Sequence, residues 1–304
     1  MTFEMRSNFS EWNNEKISGK SAVYGVIGDP VDHSLSPLIQ NTAFRLAGLD
    51  AVYVAFHVKG PSLGPAVRGL RALGVKGFNV TTPHKIRVTR FLDTIDRTVA
   101  EIGSANTVVN QNGSLLGYNT DGLGALKALE EAGQPLEGRS LLLLGAGGAS
   151  RAIAYAFAPR VSSMVIVNRT VSKAKQLSQR LRRKFKKEIA AATLSSRMIR
   201  RFLHEADIVV NASSMGMDGK SELPIEEDWL RKDQCVFDIV YKPAWTRLLT
   251  LAAHAGARTV TGLDLLLNQG ACSFEVWTGR EAPIPEMRNA LALKLSARTH
   301  AASR

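Results

Sequence analysis

Cysteine is nearly absent: Cys235 and Cys272 are the only two in 304 residues, and both sit inside apolar stretches. Two thiols cannot form the framework that staples a small secreted domain, so a reducing compartment is expected and both are read as packing residues. Long hydrophobic runs are missing too. No apolar stretch reaches the roughly 20 residues that span a bilayer, and the polar first twenty residues lack the apolar core of a signal peptide. They are read as a loose extension, and a cytoplasmic location with no membrane partner is expected. The six histidines are scattered and the cysteines lack ligand spacing, which leaves no metal motif. Acidic residues are the minority: 27 Asp and Glu against 39 Lys and Arg leave a net charge of +12. That balance suits an anionic small molecule, a nucleic acid or an acidic membrane surface equally. No recognition-helix pattern accompanies it, so a nucleic-acid partner is not expected. Part of the excess, Arg180, Arg182, Arg183, Lys184, Lys186 and Lys187, ends a helical pattern where cations favour the dipole, and is read as a solvated face.

What is present is ordinary globular material, 45% hydrophobic and 22% charged, in a chain long enough for two cores. Ala22–Ile27 reads as a short buried strand, followed by a Gly-Asp-Pro turn and a helix from Ser36-Pro37, with Ser36 placed as its N-cap. A strand at Ala51–Val58, a helix through Arg71 and a strand at Gly77–Val80 make the pattern β-α-β-α-β. Residues 105–109 and 114–118 flank Asn112-Gly113, a strong hairpin signal, and predict an antiparallel edge. From Asp121 to Ala132 the pattern is helical, and Gly133 stops it. Strand patterns then recur at Ser140–Leu144, Met164–Val167, Ile189–Ala192, Ile208–Val210, Val236–Ile239 and Thr259–Val260, mostly separated by helices, which predicts a doubly wound parallel sheet. The tail from Leu263 reads as two helices, broken by Gly279, Pro283 and Pro285.

The run Leu141–Leu144 leads into Gly145-Ala146-Gly147-Gly148-Ala149-Ser150, setting glycines between a buried strand and a helix. There, backbone amides can approach a pyrophosphate at the helix N-terminus. Ser150 stands where the third fingerprint glycine falls, so a merely structural turn is the competing reading. After the next strand comes Asn168-Arg169-Thr170, at the place where an NAD enzyme carries an acid for the ribose hydroxyls. A guanidinium there can fork onto a 2′-phosphate, and Thr170 can add a hydroxyl while capping the following helix. NADP is therefore favoured over NAD.

The first half offers a second set of groups. His33-Ser34-Leu35-Ser36-Pro37 presents two hydroxyls at a helix N-terminus, a cradle for a carboxylate. Asn79-Val80-Thr81-Thr82-Pro83-His84-Lys85 follows a strand, with Lys85 within reach of its C-terminal end. Asn106-Thr107 and Gly117-Tyr118-Asn119-Thr120-Asp121-Gly122 add polar groups at further strand ends. With Asp238-Ile239-Val240-Tyr241-Lys242-Pro243 and Gly262 through Gln269-Gly270, this ordered set closely resembles the shikimate dehydrogenase family, from about Val23 to Gly279.

The resemblance implies reversible, NADP-linked reduction of the ring ketone of 3-dehydroshikimate to shikimate in aromatic amino-acid precursor synthesis. It implies an open α/β substrate-binding and catalytic domain over residues 1–121, a doubly wound Rossmann-like NADP-binding domain over 122–261, and C-terminal helices over 262–304 returning to the substrate domain. Ser34 and Ser36 would hold the carboxylate; Thr81, Asn106, Tyr241 and Gln269 would contact the carboxylate or ring hydroxyls; Lys85 and Asp121 would bracket the reacting oxygen. Lys173, Ile239 and Gly262 join the cofactor set. His84 replaces a commonly aromatic neighbour, Asn211–Gly216 varies a loop that usually carries Thr, and Leu265 replaces a frequent Met; none of these removes a catalytic group. A quinate or dual quinate/shikimate dehydrogenase is the nearest alternative, and a non-catalytic nucleotide- or nucleic-acid-binding protein a remote one. The expected state is monomer or homodimer.

Overall fold

A computed structural model describes residues 17–217 and 221–302. The expected loose extension over the first twenty residues lies, up to residue 16, outside the described residues. No described helix is long and apolar enough to cross a membrane.

The first half alternates β1 (Ala22–Gly28), α1 (Ser36–Leu46), β2 (Ala51–His57), α2 (Leu63–Ala72) and β3 (Gly77–Val80), then runs through β4 (Thr94–Ile95), α3 (Arg97–Ile102), β5 (Thr107–Gln111) and β6 (Ser114–Tyr118). The sheet order is β2-β1-β3-β5-β6-β4. β1 pairs in parallel with β2 and β3, while β5 runs antiparallel to both β3 and β6. The Asn112-Gly113 hairpin thus closes as its turn chemistry demands, with Asn112 at φ 52° and Gly113 at φ 89°. It is not the edge, however. The two-residue β4 adds in parallel to β6, a pairing too short to leave a period in the sequence.

Helix α4 (Asp121–Glu131) leads to the second half: β7 (Ser140–Leu144), α5 (Gly148–Phe157), β8 (Ser163–Asn168), α6 (Val171–Phe185), β9 (Ile189–Thr193), α7 (Ser196–Glu205), β10 (Ile208–Asn211), β11 (Cys235–Asp238), α8 (Arg247–His254) and β12 (Arg258–Val260). All neighbours in the order β12-β11-β10-β7-β8-β9 are parallel. Central strands covered on both faces need no polar side, which is why Leu141 to Leu144 is an unbroken apolar run, fully buried. The strand order reverses direction at β7. A crevice therefore opens between the loops that leave β7 and β10, the place where doubly wound sheets take their ligands.

Helices α9 (Gly262–Thr278) and α10 (Ile284–Ala302) follow β12. Leu266, Leu267, Ala271 and Phe274 of α9 and Met287 and Leu291 of α10 share one core with Ile39, Phe44 and Tyr53 of the first half. At about 1.5–3 kcal/mol for each large apolar side chain buried, this contact binds the C-terminal helices to the first sheet. Arg288 of α10 also pairs with Glu131 of α4 at 2.7 Å and with Asp264 of α9 at 3.1 Å, tying the two C-terminal helices to each other and to the linking helix.

Three local expectations are corrected. Ser36 is the first residue of α1 rather than its cap; Leu35 holds the cap position in a helical conformation, with no side-chain cap bond. The chain enters from a turn closed by the Ser34 amide on the Val31 carbonyl, so no extended residue precedes the helix, and Ser34 Oγ accepts from the Ser36 amide at 3.2 Å. Thr170 does stand at the N-cap of α6 in an extended conformation, but its hydroxyl makes no capping bond. Arg180 and Lys184 are not simply solvated: Arg180 donates to the Glu101 carbonyl at 3.0 Å and Lys184 pairs with the Glu101 carboxylate, clasping the C-terminal end of α3. Both cysteines are buried, and burial pushes the Cys235 thiol up to about 12 and raises that of Cys272, in keeping with inert packing.

Candidate active site

Lys85 and Asp121 start 36 residues apart and end 2.6 Å apart, Nζ to Oδ2. Lys85 leaves the turn after β3, where Pro83 stops further pairing and His84 is anchored by its Nε2 on the Val58 carbonyl at 2.5 Å. His84 is thereby structural. The Lys85 carbonyl accepts the Ala105 amide at 2.9 Å, which fixes the lysine main chain to the segment before β5. Asp121 opens α4, where the helix N-terminus favours a carboxylate, and its amide bonds Asn119 Oδ1 at 3.0 Å. The carboxylate is 3% exposed and the lysine 16%, so the pair is shielded yet reachable from the cleft.

Asn106 completes the corner. Its Nδ2 donates to Asp121 Oδ1 and Thr120 Oγ1, both at 2.9 Å, and lies 3.2 Å from Gln269 Oε1. Its Oδ1 accepts the Thr120 amide at 2.8 Å, so the amide can face only one way. Gln269 arrives from α9, which explains why the C-terminal helices matter to a site built mainly in the first half. Thr81 stands half-buried at the end of β3, its amide on the Ile27 carbonyl at 2.9 Å. Each cradle serine sits beside a tyrosine hydroxyl, Ser34 beside Tyr241 and Ser36 beside Tyr53. Burial raises both phenols above their ordinary range, which keeps them neutral donors. Tyr241 comes from the loop after β11, so the second half reaches over the cradle. Its ring lies 6.3 Å from that of His33, whose imidazole is held low by burial and by the nearby Lys242 cation.

The glycine turn lies on the other side of the pair. Gly145 has φ 117°, and a Cβ there would stand 2.7 Å from the Ala212 carbonyl and 2.8 Å from Ser150 Oγ; no other residue fits. Ser150, standing at the third glycine position, is fully buried, accepts the Gly147 amide at 3.2 Å and donates to the Ala212 carbonyl at 2.8 Å. It fastens the turn to the neighbouring strand end, so the departure from the fingerprint is a brace. A Cβ on Gly148 would sit 2.7 Å from Lys85 Cβ. The N-terminus of α5 therefore touches the lysine side chain directly. Around Gly147 nothing lies within 4 Å of a Cβ, leaving open space over the turn flanked by Ala146 and Ala149. Asn168 donates to the Thr170 carbonyl at 2.9 Å, while Arg169, Thr170 and Lys173 are exposed and without a side-chain partner among the described residues. The Ile239 carbonyl backs onto Gly262, 2.5 Å from where a Cβ would be. Among the described residues no three His, Cys, Asp or Glu side chains are grouped to hold a metal ion.

Of the groups singled out in the sequence, Lys85, Asp121, Asn106, Gln269 and the first turn of α5 meet in one corner, while Arg169, Thr170 and Lys173 make no side-chain contact with it among the described residues. Family models match in three blocks: the shikimate dehydrogenase substrate binding domain over residues 26–108, shikimate/quinate 5-dehydrogenase over 127–228, and the shikimate 5′-dehydrogenase C-terminal domain over 262–292. The chain belongs to the shikimate dehydrogenase family. A shikimate dehydrogenase (NADP(+)) of Pyrococcus abyssi is 47% identical over 266 residues, covering 88% of this chain and 96% of that one. The fold matches a shikimate dehydrogenase solved in complex with NADP+ at a TM-score of 0.83 and 40% identity, covering 91% and 97% of the two chains. It also matches the Listeria monocytogenes shikimate 5-dehydrogenase, solved with shikimate and NAD, at 0.82 and 36% identity, covering 90% and 98%.

Sequence reasoning did not single out Tyr53, Asn79, Thr107, Thr120 or Ser273 as a group, yet all are buried around Asn106. The available signal was weak: polar residues inside otherwise apolar strand and helix patterns, with no sign of their partners.

Proposed function

We propose that this chain is an NADP-dependent shikimate dehydrogenase, acting in the cytoplasm as a monomer or homodimer on shikimate and 3-dehydroshikimate. The Lys85–Asp121 pair, set directly against the first turn of α5, is the observation that carries this reading. Ketone reduction needs a donor at the oxygen where negative charge develops, beside the seat of a hydride carrier. Residues 1–121 serve as the substrate domain, 122–261 as the nucleotide domain and 262–304 as helices returning to the first.

The turn fits a dinucleotide. Open space over Gly147, the α5 N-terminus and the unpartnered cations of Arg169 and Lys173 suit two kinds of phosphate, a pyrophosphate and a 2′-phosphate. Gly145 to Ala149 would hold the former, Asn168, Arg169, Thr170 and Lys173 the latter, with Ile239 and Gly262 along the ring-bearing end. When bound, the cofactor supplies or takes up the hydride. The chain does the rest. Ser34, Ser36 and Tyr241 donate to the substrate carboxylate, and Thr81, Asn106 and Gln269 orient the ring hydroxyls. Lys85 Nζ gives its proton to the ketone oxygen as alkoxide character builds, and takes the hydroxyl proton in the reverse direction. Asp121 Oδ2 holds the amine in line throughout.

Initial rates with shikimate and quinate, each with NADP+ and NAD+, test the reading. The highest kcat/KM is expected for shikimate with NADP+. Absence of NADPH formation from shikimate, or a preference for quinate, would contradict it.

A further inference from the structure

We propose that Ser273 and Tyr53, working through Asn79, are positioning residues that fix Asn106 and through it Asp121, a reading that rests on the shikimate reaction proposed above. Neither side chain touches Lys85 or Asp121. Both belong to a buried polar network lying beneath the site. Tyr53 OH donates to Asn79 Oδ1 at 2.7 Å. Asn79 Nδ2 donates to the Asn106 carbonyl at 3.0 Å and faces Thr107 Oγ1 at 3.1 Å and Ser273 Oγ at 3.0 Å. Ser273 Oγ also meets Thr107 at 2.9 Å and Thr120 at 3.1 Å, and bonds the Gln269 carbonyl one turn back at 2.9 Å.

The hydrogens are shared rather than paired one to one: Asn79 Nδ2 has two for three acceptors, the Asn106 carbonyl, Thr107 Oγ1 and Ser273 Oγ. Tyr53 donates to Asn79, Asn79 faces Thr107, Thr107 donates to Asn106 Oδ1 at 2.9 Å, and Asn106 donates to Asp121. The Ser273 hydroxyl has one hydrogen between the Gln269 carbonyl and Thr107 Oγ1, because the Thr107 hydrogen is on Asn106, and it accepts from Thr120. No atom of these side chains is left buried without a partner, which makes the network costly to perturb. Two roles are then open to it: passing a signal from the carboxylate cradle to the catalytic pair, or holding Asn106 still. Polarisation strengthens a neighbouring hydrogen bond by about 10–30% per link, so across the four links from Tyr53 to Asp121 under about 1% of any change would survive. Holding wins. Gln269 and Ser273, four residues apart on one face of α9, press on Asn106, Thr107 and Thr120 together, and Asn79 locks the same corner from β3.

The experiment compares Ser273→Ala and Tyr53→Phe with wild type, alone and with Asn106→Ala, reading kcat and KM for shikimate and the urea midpoint. Ser273→Ala is expected to lower kcat about tenfold, the worth of one buried hydrogen bond, with KM changed less than about twofold. Tyr53→Phe, which keeps the ring packing, is expected to lower kcat similarly. In the Asn106→Ala background most of both losses should vanish, because residues acting through one partner are not additive. A purely structural role would move the urea midpoint and leave kcat per folded molecule unchanged. Unaltered kcat in both variants, or full additivity with Asn106→Ala, would overturn the positioning role. Wild-type protein inactive on shikimate would overturn the functional reading beneath it.

Discussion

Replacing Asp121 by Asn keeps the shape of the side chain and removes its charge where two donors converge. Oδ2 accepts from Lys85 at 2.6 Å and Oδ1 from Asn106 at 2.9 Å. An amide offers only one oxygen. With that oxygen toward Lys85, its NH2 meets the NH2 of Asn106; turned over, it meets the ammonium. Asn106 cannot flip to relieve this, because its own oxygen holds the Thr120 amide at 2.8 Å. The gross attraction of unit charges at 2.6 Å is about 6 kcal/mol at an effective dielectric constant of 20, much of it offset by desolvation. The net loss is one charge-assisted hydrogen bond, roughly 1.5–3 kcal/mol, plus one unsatisfied buried donor, roughly 1–3 kcal/mol. Together they predict a fall in kcat/KM of about 10²–10⁴. Steady-state NADPH absorbance in both directions measures it, with near-ultraviolet circular dichroism to confirm the native fold. Values of kcat and KM both within about threefold of wild type would refute the assigned role of Asp121.

Arg169→Ala should cost roughly 1.5–3 kcal/mol of NADPH affinity, and little of NADH affinity, in fluorescence titrations; equal losses for both would argue against 2′-phosphate recognition. Gly148→Ala places a methyl 2.7 Å from Lys85 Cβ, so turnover should fall by at least about tenfold as α5 and the lysine are forced apart; normal kcat would show that this contact is not needed. Asp238, fully buried, accepts from Asn211 and Thr246 side chains and the Val240 amide, yet burial raises its carboxyl from 3.8 to about 6. Between those values the folded state holds the extra proton, so its contribution to stability is complete below about pH 4 and is lost as pH rises through 6, on the order of 3 kcal/mol in total. Urea unfolding from pH 4 to pH 7.5 should show this slope in wild type and its absence in Asp238→Asn; identical slopes would sink the assignment.

Much of the fold and site could be read locally, because the signals are local. The apolar run before Gly145, the Asn112-Gly113 turn and the polar residues at strand ends each carry their reason within a few positions. Lys85 and Asp121 stood out because residues that end strands on one side of a sheet share a crevice. The buried network did not, since Thr107 and Ser273 are 166 residues apart and a serine inside a helix looks the same whether it meets solvent or three partners. Arg180 and Lys184 matched a solvated helix end for the same reason: Glu101, their partner, lies on an element too short to be recognised. Ser36 was misplaced by one residue because the turn before it is already helical, a property of residues 31–35 together rather than of any one.

The central claim is that the amine of Lys85 moves the proton while the rest of the cleft binds. Its most direct measurement is single-turnover reduction of 3-dehydroshikimate by Lys85→Ala, with substrate affinity measured on the same protein by calorimetry. The hydride-transfer rate should fall by about 10²–10⁴ with affinity changed only a few-fold. A rate near wild type would contradict the account.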